Sequence, residues 1–252
     1  MRILMQHLSG LLLACLLASP LAAASDEWQS LFDGKTLNGW SGDPRFWSVE
    51  DGAIVGRSTP ENPCTRTTYL HRDGAFEDFE LVFEIKLEGA TANSGMQYRS
   101  TPKGKDVGDG FDLSGYQADF DARHAYSGIL YETYGRGIAV NRGESAAFDR
   151  NGTKRAINPA QDDAKLKAHL ARGGTDGWHI YRIVARGGHL EHWIDGKRMV
   201  LVEDDFQERI PKGIIALQIH QGNPMTVRAR NIRIRPLRNS ASQPPSEPGK
   251  TD

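Results

Sequence analysis

The stretch WHIYRIVARGGHLEHWIDGKRMVLVE, residues 178–203, decides the fold class. Apolar and polar residues alternate along much of it, which is the pattern of β-strands that bury one face. Two pairs of turn residues interrupt the alternation, Gly187-Gly188 and Asp195-Gly196. Both pairs are typical of the tight turns that connect strands. The stretch therefore predicts two or three consecutive β-strands.

The same pattern continues on both sides of this stretch. DFELVFEIKLEG, residues 78–89, alternates cleanly, with Leu81 and Phe83 on its apolar face. FWSVEDGAIVG, residues 46–56, has a strong turn signal at its centre. Many short strands with closely spaced turn signals are typical of a sandwich or a barrel, so we expect an all-β protein. Further strands are predicted at residues 94–100, 213–222 and 225–237.

One short helix is expected in a polar insertion between Asn141 and Asp176. Its sequence is PAQDDAKLKAHLARG. Asn158 would cap the helix, Pro159 would lie in the first turn, and Gly173 would end it.

The N-terminus predicts a secretory signal peptide over residues 1–24. Arg2 supplies a positive charge, an apolar run follows at residues 11–23, and small residues precede an expected cleavage near Ala24 and Ser25. The run is too short for a membrane span, which needs about 20 apolar residues. We therefore expect a periplasmic or secreted protein. Lipid attachment at Cys15 is the alternative, but the apolar run continues past that residue and favours ordinary cleavage.

The mature domain is expected over residues 25–238, followed by a polar, Pro- and Ser-rich disordered tail at residues 239–252. Only Cys64 is left after cleavage, so an internal disulfide cannot form. The formal net charge of the whole chain is −1, which gives no indication of a nucleic-acid or anionic-lipid partner. A neutral small-molecule substrate fits this charge balance.

Several predicted strands carry multidentate polar side chains on one face. Residues i and i+2 of a strand share a face, and the pairs formed in this way combine glutamine with a charged or ionisable group. Solvent-facing strands are the plain explanation for any one pair, but together the pairs indicate a shared polar groove of the kind that binds sugars. The groups concerned are Gln97 with Arg99, Gln117 with Asp119, Gln218 with His220, and Glu84 opposite the apolar face of its strand.

The segments that carry these residues resemble the 3-keto-disaccharide hydrolase family. SLFDGKTLNGW, FWSVEDGAIVG, NSGMQYRS, GYQADF, GILYETYGRG and GIIALQIHQGNPMTVRARNIRIRPL occur in this order, and the resemblance covers roughly residues 28–237. It implies a concanavalin A-like jelly-roll sandwich of two antiparallel sheets. It also implies an exported bacterial enzyme that cleaves glycosides oxidised to a ketone at sugar C3. The sequence departs from the family pattern at His179 and Asp195, where Asn is expected.

A ketone at C3 acidifies the hydrogen at C2, so cleavage can proceed by proton removal, elimination of the C1 substituent and addition of water. This route needs a base, an enolate stabiliser and a proton donor. His220 is the first candidate base, with Asp119 and Glu132 as the carboxylate alternatives and candidate donors. Arg99 would stabilise the enolate, and Tyr131 would donate a proton or stack. The expected sugar-binding residues are Gln97, Gln117, Gln218, Arg136 and Glu84, with an ion pair to Glu132 as the alternative for Arg136.

Other functions stay open from the sequence. A non-catalytic carbohydrate-binding module would need the same groove but no base. An ordinary glycosidase is disfavoured because Val82 separates Glu80 and Glu84, where some jelly-roll glycosidases carry an Asp. No cofactor is expected; a divalent metal held by His220 with Asp119 or Glu132 stays possible, although no metal-binding spacing supports it. The histidines expected at the surface are His71, His124, His169, His189 and His192.

Overall fold

Two β-sheets packed face to face form the protein in the computed structural model, which describes residues 27–104 and 107–237. The expected signal peptide with its cleavage site, the alternative lipid site at Cys15, and the expected tail lie outside the described residues. The all-β prediction is confirmed, and so is the expected sandwich of two sheets.

The larger sheet has ten strands. Its spatial order is β12 (Lys154–Asn158), β11 (Ser145–Phe148), β15 (Lys197–Asp204), β14 (His189–Ile194), β13 (His179–Arg186), β6 (Phe79–Glu88), β17 (Met225–Pro236), β4 (Ala53–Ser58) and β3 (Trp47–Glu50), with β1 (Gln29–Ser30) paired to β17. The stretch that decides the fold class thus supplies three neighbouring strands near the middle of this sheet. Their pairing is antiparallel, as the turn residues predict. The pair β11–β15 is parallel, so the sheet departs locally from an antiparallel arrangement.

The smaller sheet has seven strands. Its order is β10 (Gly137–Val140), β9 (Leu130–Thr133), β8 (Leu113–Asp121), β7 (Asn93–Pro102), β16 (Gly213–Ile219), β5 (Thr68–Phe76) and β2 (Trp40–Ser41). One face of each strand packs on the larger sheet and the other faces outward, because side chains alternate across a strand. In β8, Tyr116, Ala118 and Phe120 belong to the core cluster, so Gln117 and Asp119 point to the outer face.

The core lies between the two sheets. Leu81, Phe83 and Ile85 of β6 are fully buried, as the alternation of their strand predicts. Each such side chain contributes roughly 1.5–3 kcal/mol of hydrophobic stabilisation. His192 is also fully buried, so its expected surface position is wrong. It accepts a hydrogen bond from the Tyr98 hydroxyl at 3.0 Å, and burial lowers its pKa to about 4, which keeps the ring neutral.

The predicted helix exists but begins later than expected. It spans Asp163–Ala171, and Asp162 caps it by accepting from the backbone N–H groups of Ala164 and Lys165. Asn158 ends strand β12 instead, because residues 154–158 pair with β11. Sheet pairing has overridden the capping signals at Asn158 and Pro159. No helix in the part of the chain that the structure describes is long and apolar enough to cross a membrane.

The two departures from the family pattern contact each other. Nδ1 of His179 lies 2.6 Å from Oδ2 of Asp195, and the backbone N–H of Ile180 donates to Oδ1 of the same carboxylate at 2.8 Å. Burial acts to raise the pKa of Asp195, but these hydrogen bonds outweigh it and lower the pKa. The pair fixes the hairpin between β13 and β14.

Candidate functional site

A cavity of about 980 Å³ opens on the outer face of the seven-stranded sheet. This volume is in the range of small-molecule sites. Four side chains on strands β5, β8 and β16 form its base and are called the floor: Tyr69, Gln117, Asp119 and Gln218. Four residues on the surrounding loops and on edge strand β10 are called the rim: Tyr126, Tyr134, Ile138 and His220.

Strand register brings the floor together. Gln218 pairs with Tyr69, and Asp119 pairs with Gly95 of β7. Because Gly95 has no side chain, Gln117 can lie across this position. A Cβ atom there would come within 3.0 Å of Gln117 Cγ and 2.8 Å of the Ala118 carbonyl oxygen. The glycine therefore makes room for the polar groups on either side of it.

The floor residues form a hydrogen-bonded group. Gln218 Nε2 donates to Gln117 Oε1 at 3.1 Å and to the Tyr69 hydroxyl at 3.3 Å. Gln117 Nε2 donates to the Asp119 carboxylate. Gln97 lies beside Gln117 on the neighbouring strand β7: it is fully buried, does not line the cavity, and donates to Gln117 Oε1 at 2.6 Å. Gln117, Gln218 and Asp119 thus lie where the sequence predicts a polar groove, with Gln97 as a support.

Asp119 is the most perturbed carboxyl of the site. Burial raises its pKa from 3.8 to about 7, and the nearby charge of Asp121 acts in the same direction. The hydrogen bond from Gln117 opposes this rise by favouring the ionised form. A carboxyl with a pKa near neutrality can hold and release a proton in the working pH range of most enzymes.

Tyr69 is a floor residue that the sequence analysis missed. Burial raises the pKa of its hydroxyl to about 12, so the group keeps its proton. Tyr69 lies on β5, which the sequence analysis did not identify as a strand. Its position beside Gln218 depends on long-range pairing, and no local sequence signal indicates it.

The rim is apolar and aromatic. Tyr126, Tyr134 and Ile138 are exposed to 46%, 65% and 46% and are three of the five large exposed hydrophobic residues in the described ranges. The Tyr134 hydroxyl donates to Oδ2 of Asp112 at 2.6 Å, which holds the ring at the cavity mouth. Exposed aromatic rings beside buried amides are the combination that sugar rings or aromatic substituents pack against. The sequence analysis missed these three residues as well.

His220 is an exposed rim residue that follows strand β16. Its Nδ1 lies 2.7 Å from the backbone carbonyl oxygen of Gln221. A carbonyl oxygen only accepts, so Nδ1 carries the proton and Nε2 of the neutral ring carries the lone pair. The geometry therefore gives His220 a basic nitrogen at the cavity mouth.

Tyr131 and Glu132 both border the cavity but differ in direction. Tyr131 pairs with Gln117 and shares its outer face, whereas Glu132 pairs with the core residue Tyr116. The Glu132 carboxylate accepts from Arg136 Nε. Arg136 also donates to Asp204 at 2.6 Å, and the side chains of Glu132 and Asp204 are only 7% and 1% exposed. Arg136 does not line the cavity, so its contacts support the ion-pair alternative rather than contact with sugar hydroxyls.

Arg99 is not part of the cavity. Its backbone is left-handed, with φ of 47°, at an irregularity of the β7–β8 pairing between Tyr98 and Thr101. This β-bulge breaks the alternation that would have placed Arg99 beside Gln97. The buried side chain instead donates to the carbonyl oxygens of Glu77 and Gly187, each at 2.7 Å. The expectation that it faces the groove is wrong.

Glu84 also lies away from the cavity. Strand β6 belongs to the ten-stranded sheet, and Glu84 binds Arg230 at 2.7 Å and Asn231 at 2.6 Å on the outer face of that sheet. Glu80 of the same strand binds Arg182 and Arg235. The parity of both residues was predicted correctly, but parity does not reveal to which sheet a strand belongs.

Within residues 27–104 and 107–237, no group of three or more His, Cys, Asp or Glu side chains is placed to hold a metal ion. The described site is built from amides, hydroxyl groups, one imidazole, the guanidinium of Arg66 and the three buried carboxyls of Asp112, Asp119 and Glu132. Such a site can bind a neutral polyol and move protons on it.

A polar cavity of this size on a jelly-roll sandwich suits the binding of a carbohydrate. The chain belongs to the 3-keto-alpha-glucoside-1,2-lyase-like domain family, whose model matches residues 27–235. This confirms the resemblance carried by the sequence motifs. A 3-keto-disaccharide hydrolase of Bacteroides thetaiotaomicron is 33% identical over 102 residues, which is 35% of this chain and 34% of that protein. The match thus spans about a third of that relative's length.

Solved structures share the fold. A Parabacteroides distasonis protein described as a candidate glycosyl hydrolase is 20% identical, with a TM-score of 0.52 over 84% of this chain and 94% of that chain. A Bacillus subtilis protein of unknown function with a galectin-like fold is 13% identical, with a TM-score of 0.55 over 85% of this chain and 96% of that chain. At these identities the likeness shows the fold alone.

Proposed function

We propose that the protein cleaves glycosides oxidised to a ketone at sugar C3, by removing the C2 proton and expelling the C1 substituent. The observation that carries the proposal is the buried carboxyl of Asp119, which lies on the floor of a polar cavity and has a pKa raised by burial to about 7. Family membership supports the same reaction class. We further propose that the protein is exported, because its N-terminus has the pattern of a signal peptide.

The first half-reaction is an elimination. Nε2 of His220 takes the proton from C2, and the electron pair of that bond forms an enolate with the C3 carbonyl. When the C3 carbonyl re-forms, the pair makes a C1–C2 double bond and the bond from C1 to the leaving oxygen breaks. The protonated carboxyl of Asp119 gives its proton to that oxygen. A raised pKa suits this donor role, since the acid form must be present near neutral pH.

The second half-reaction is the reverse with water. The Asp119 carboxylate takes a proton from water as the water oxygen bonds to C1, and protonated His220 returns the proton to C2. The net change is hydrolysis, with each group restored. The enolate oxygen needs a donor, and since Arg99 is remote, we assign this role to the guanidinium of Arg66, which lines the cavity.

The test is direct. The purified mature protein is incubated with a 3-keto-glycoside, such as 3-keto-trehalose or a 3-keto aryl glucoside, and separately with the unoxidised glycoside. Release from the oxidised substrate only supports the proposal. Release from both would indicate an ordinary glycosidase, and binding without release would indicate a carbohydrate-binding module.

Variants then test the residue roles. His220→Ala and Asp119→Asn should each lower kcat by about 10²–10⁴-fold, which is the usual contribution of general acid–base groups. His189→Ala and Glu84→Gln are matched controls on the ten-stranded sheet and should stay within twofold of the wild type. Unchanged turnover of the His220 variant would remove its assigned role.

A further inference from the structure

The three glutamines and Asp119 form one continuous hydrogen-bonded chain across strands β7, β8 and β16. Gln117 lies at its centre: its Oε1 accepts from Gln97 at 2.6 Å and from Gln218 at 3.1 Å, and its Nε2 donates to Asp119. Within the described residues, Gln117 is the one side chain that hydrogen-bonds the Asp119 carboxyl. Whether that carboxyl meets an N–H or a C=O therefore depends on how the Gln117 amide is turned.

Away from Asp119, the hydrogen-bonded chain ends in hydroxyl groups. Ser100 Oγ donates to Gln97 Oε1 at 2.8 Å, and Gln97 Nε2 donates to Thr133 Oγ1 at 2.6 Å. Gln218 Nε2 donates to the Tyr69 hydroxyl at 3.3 Å. Among the described residues, none of the three amides is bonded to a backbone group, which would fix its direction. A hydroxyl both donates and accepts, so each end serves either orientation of its amide.

All polar contacts of the chain survive if the three amides turn over together. Gln117 then presents Oε1 to Asp119 and donates through Nε2 to Gln97 Oε1. Thr133 donates to that same Oε1, Gln97 donates to Ser100, and Tyr69 donates to Gln218. The first orientation satisfies an ionised Asp119, which only accepts, and the reversed orientation satisfies a protonated Asp119, which donates.

We propose that Gln97 is a positioning residue for Asp119: held between two hydroxyls, its amide lets Gln117 offer an N–H to the carboxylate and a C=O to the carboxylic acid. The proposal rests on the proposed function in one respect, namely that Asp119 gives up and regains a proton in each cycle. It assigns Gln97, which the substrate does not reach, a part in that exchange.

Other charged and titratable groups lie around Asp119 and act on it through space. Asp121 lies on the same strand, Tyr69 faces it from β5, and Tyr181 faces it from the ten-stranded sheet. Tyr69 is the hydroxyl bonded to Gln218, and its hydrogen bond reverses together with that amide. Among the described residues, Asp121 and Tyr181 make no hydrogen bond to the three amides, so their hydrogen bonds are the same in both orientations. The titratable groups that line the same cavity are Arg66, Asp112, Tyr126, Tyr131, Glu132, Tyr134 and His220.

The test titrates Asp119 by ¹³C NMR of its carboxyl carbon, with Asp119→Asn used to assign the signal. The carboxylate introduced by Gln97→Glu accepts only, so it takes the N–H of Gln117 and turns the Gln117 carbonyl towards Asp119. The midpoint of Asp119 should rise by at least one pH unit. Charge repulsion alone would also raise it, and a double-variant cycle separates the two causes.

In that cycle, Gln97→Glu is added to Gln117→Met, which removes the amide that connects the two positions. In the Gln117→Met background, Gln97→Glu should raise the titration midpoint of Asp119 by less than a third of the increase that it causes in the wild-type background. An equal rise in both backgrounds would mean that charge repulsion explains the effect, and the proposal would be overturned.

A measurement on the wild-type protein needs no variant to fold. The side-chain amide signals of Gln97 should shift with the same midpoint as the Asp119 carboxyl and should not titrate in Asp119→Asn. Gln97 signals that ignore the Asp119 midpoint would contradict the proposal. Both measurements are made without substrate, so they are independent of whether a 3-keto-glycoside is cleaved, and the two proposals can fail separately.

Discussion

Replacing Asp119 with asparagine should make the protein more stable, by an amount that depends on pH. The carboxyl is buried, and its pKa is raised from 3.8 to about 7. Ionising it in the folded protein therefore costs free energy that the unfolded chain does not lose. Asparagine has nearly the same shape and stays neutral, and its amide can turn to suit Gln117. The variant removes the cost and keeps the contact.

The sign and size of this stability difference follow from how many protons the folded and unfolded states bind. Below pH 3.8 the carboxyl is protonated in both states. Between pH 4 and pH 7 the folded protein holds a proton that the unfolded chain has released, so the stability of the wild type falls as pH rises through this window. Above about pH 7 the Asp119 carboxyl is ionised in both states, and the stability of the wild type falls no further. At about 1.4 kcal/mol per pKa unit, the difference between 3.8 and about 7 corresponds to about 4 kcal/mol.

The assay is urea unfolding at pH 5, 6, 7 and 8, followed by the fluorescence of the chain's tryptophans. The quantity of interest is the free energy of unfolding of Asp119→Asn minus that of the wild type, because other titrating groups cancel in this difference. It should grow by roughly 2–3 kcal/mol between pH 5 and pH 8. Asp73→Asn, at an exposed position, is the control, and its difference in free energy of unfolding from the wild type should not change with pH. A flat line for the Asp119 variant, or a wild type more stable than the variant at pH 8, would refute the reasoning.

Three further predictions concern residues in and around the cavity. Arg136→Met leaves the buried Asp204 carboxylate without its cationic partner and should lower the free energy of unfolding by about 3–5 kcal/mol in urea titrations. A change under about 1 kcal/mol would contradict a structural role for Arg136. Tyr134 has an exposed ring at the cavity mouth, where we propose that it packs against the substrate. Tyr134→Ala should then raise KM about five- to tenfold with kcat little changed, whereas Tyr134→Phe should stay within about twofold; equal KM values for both variants would exclude stacking. Gly95→Ala should displace Gln117, because the added carbon would lie 3.0 Å from Gln117 Cγ. The variant should lower kcat/KM at least tenfold and the free energy of unfolding by about 1–3 kcal/mol, and wild-type kinetics would show that the floor tolerates the shift.

Residues within one strand were predicted well from the sequence, because side-chain direction there has a period of two. Gln117 and Asp119 face outward while Phe120 enters the core, as their alternation predicts. The same rule failed for Arg99, since a β-bulge inverts the alternation after Tyr98, and no residue type in NSGMQYRS signals the bulge. The fold class could be predicted from the sequence because it depends on many such local patterns together.

Features of the site that depend on long-range strand pairing could not be predicted from the sequence. Glu84 has the predicted parity but lies in the other sheet, and sheet membership is decided by contacts with β13 and β17. Tyr69 reaches the floor only through its register with β16. Tyr134 lies on a turn and gives no periodic signal. The helix start moved from Pro159 to Asp163 for a similar reason, because residues 154–158 add a strand to the larger sheet.

The division between floor and rim has a consequence for engineering. Tyr69, Gln117 and Asp119 stand on paired strands in mid-sheet, so a change there propagates through a shared network. Tyr126 and Tyr134 project from loops with exposed rings, and neither hydrogen-bonds a floor residue. A library randomised at these two rim positions would therefore vary the contacts at the cavity mouth without disturbing the hydrogen-bonded floor. Substrate preference can thus be varied at Tyr126 and Tyr134 while His220 and the floor stay unchanged.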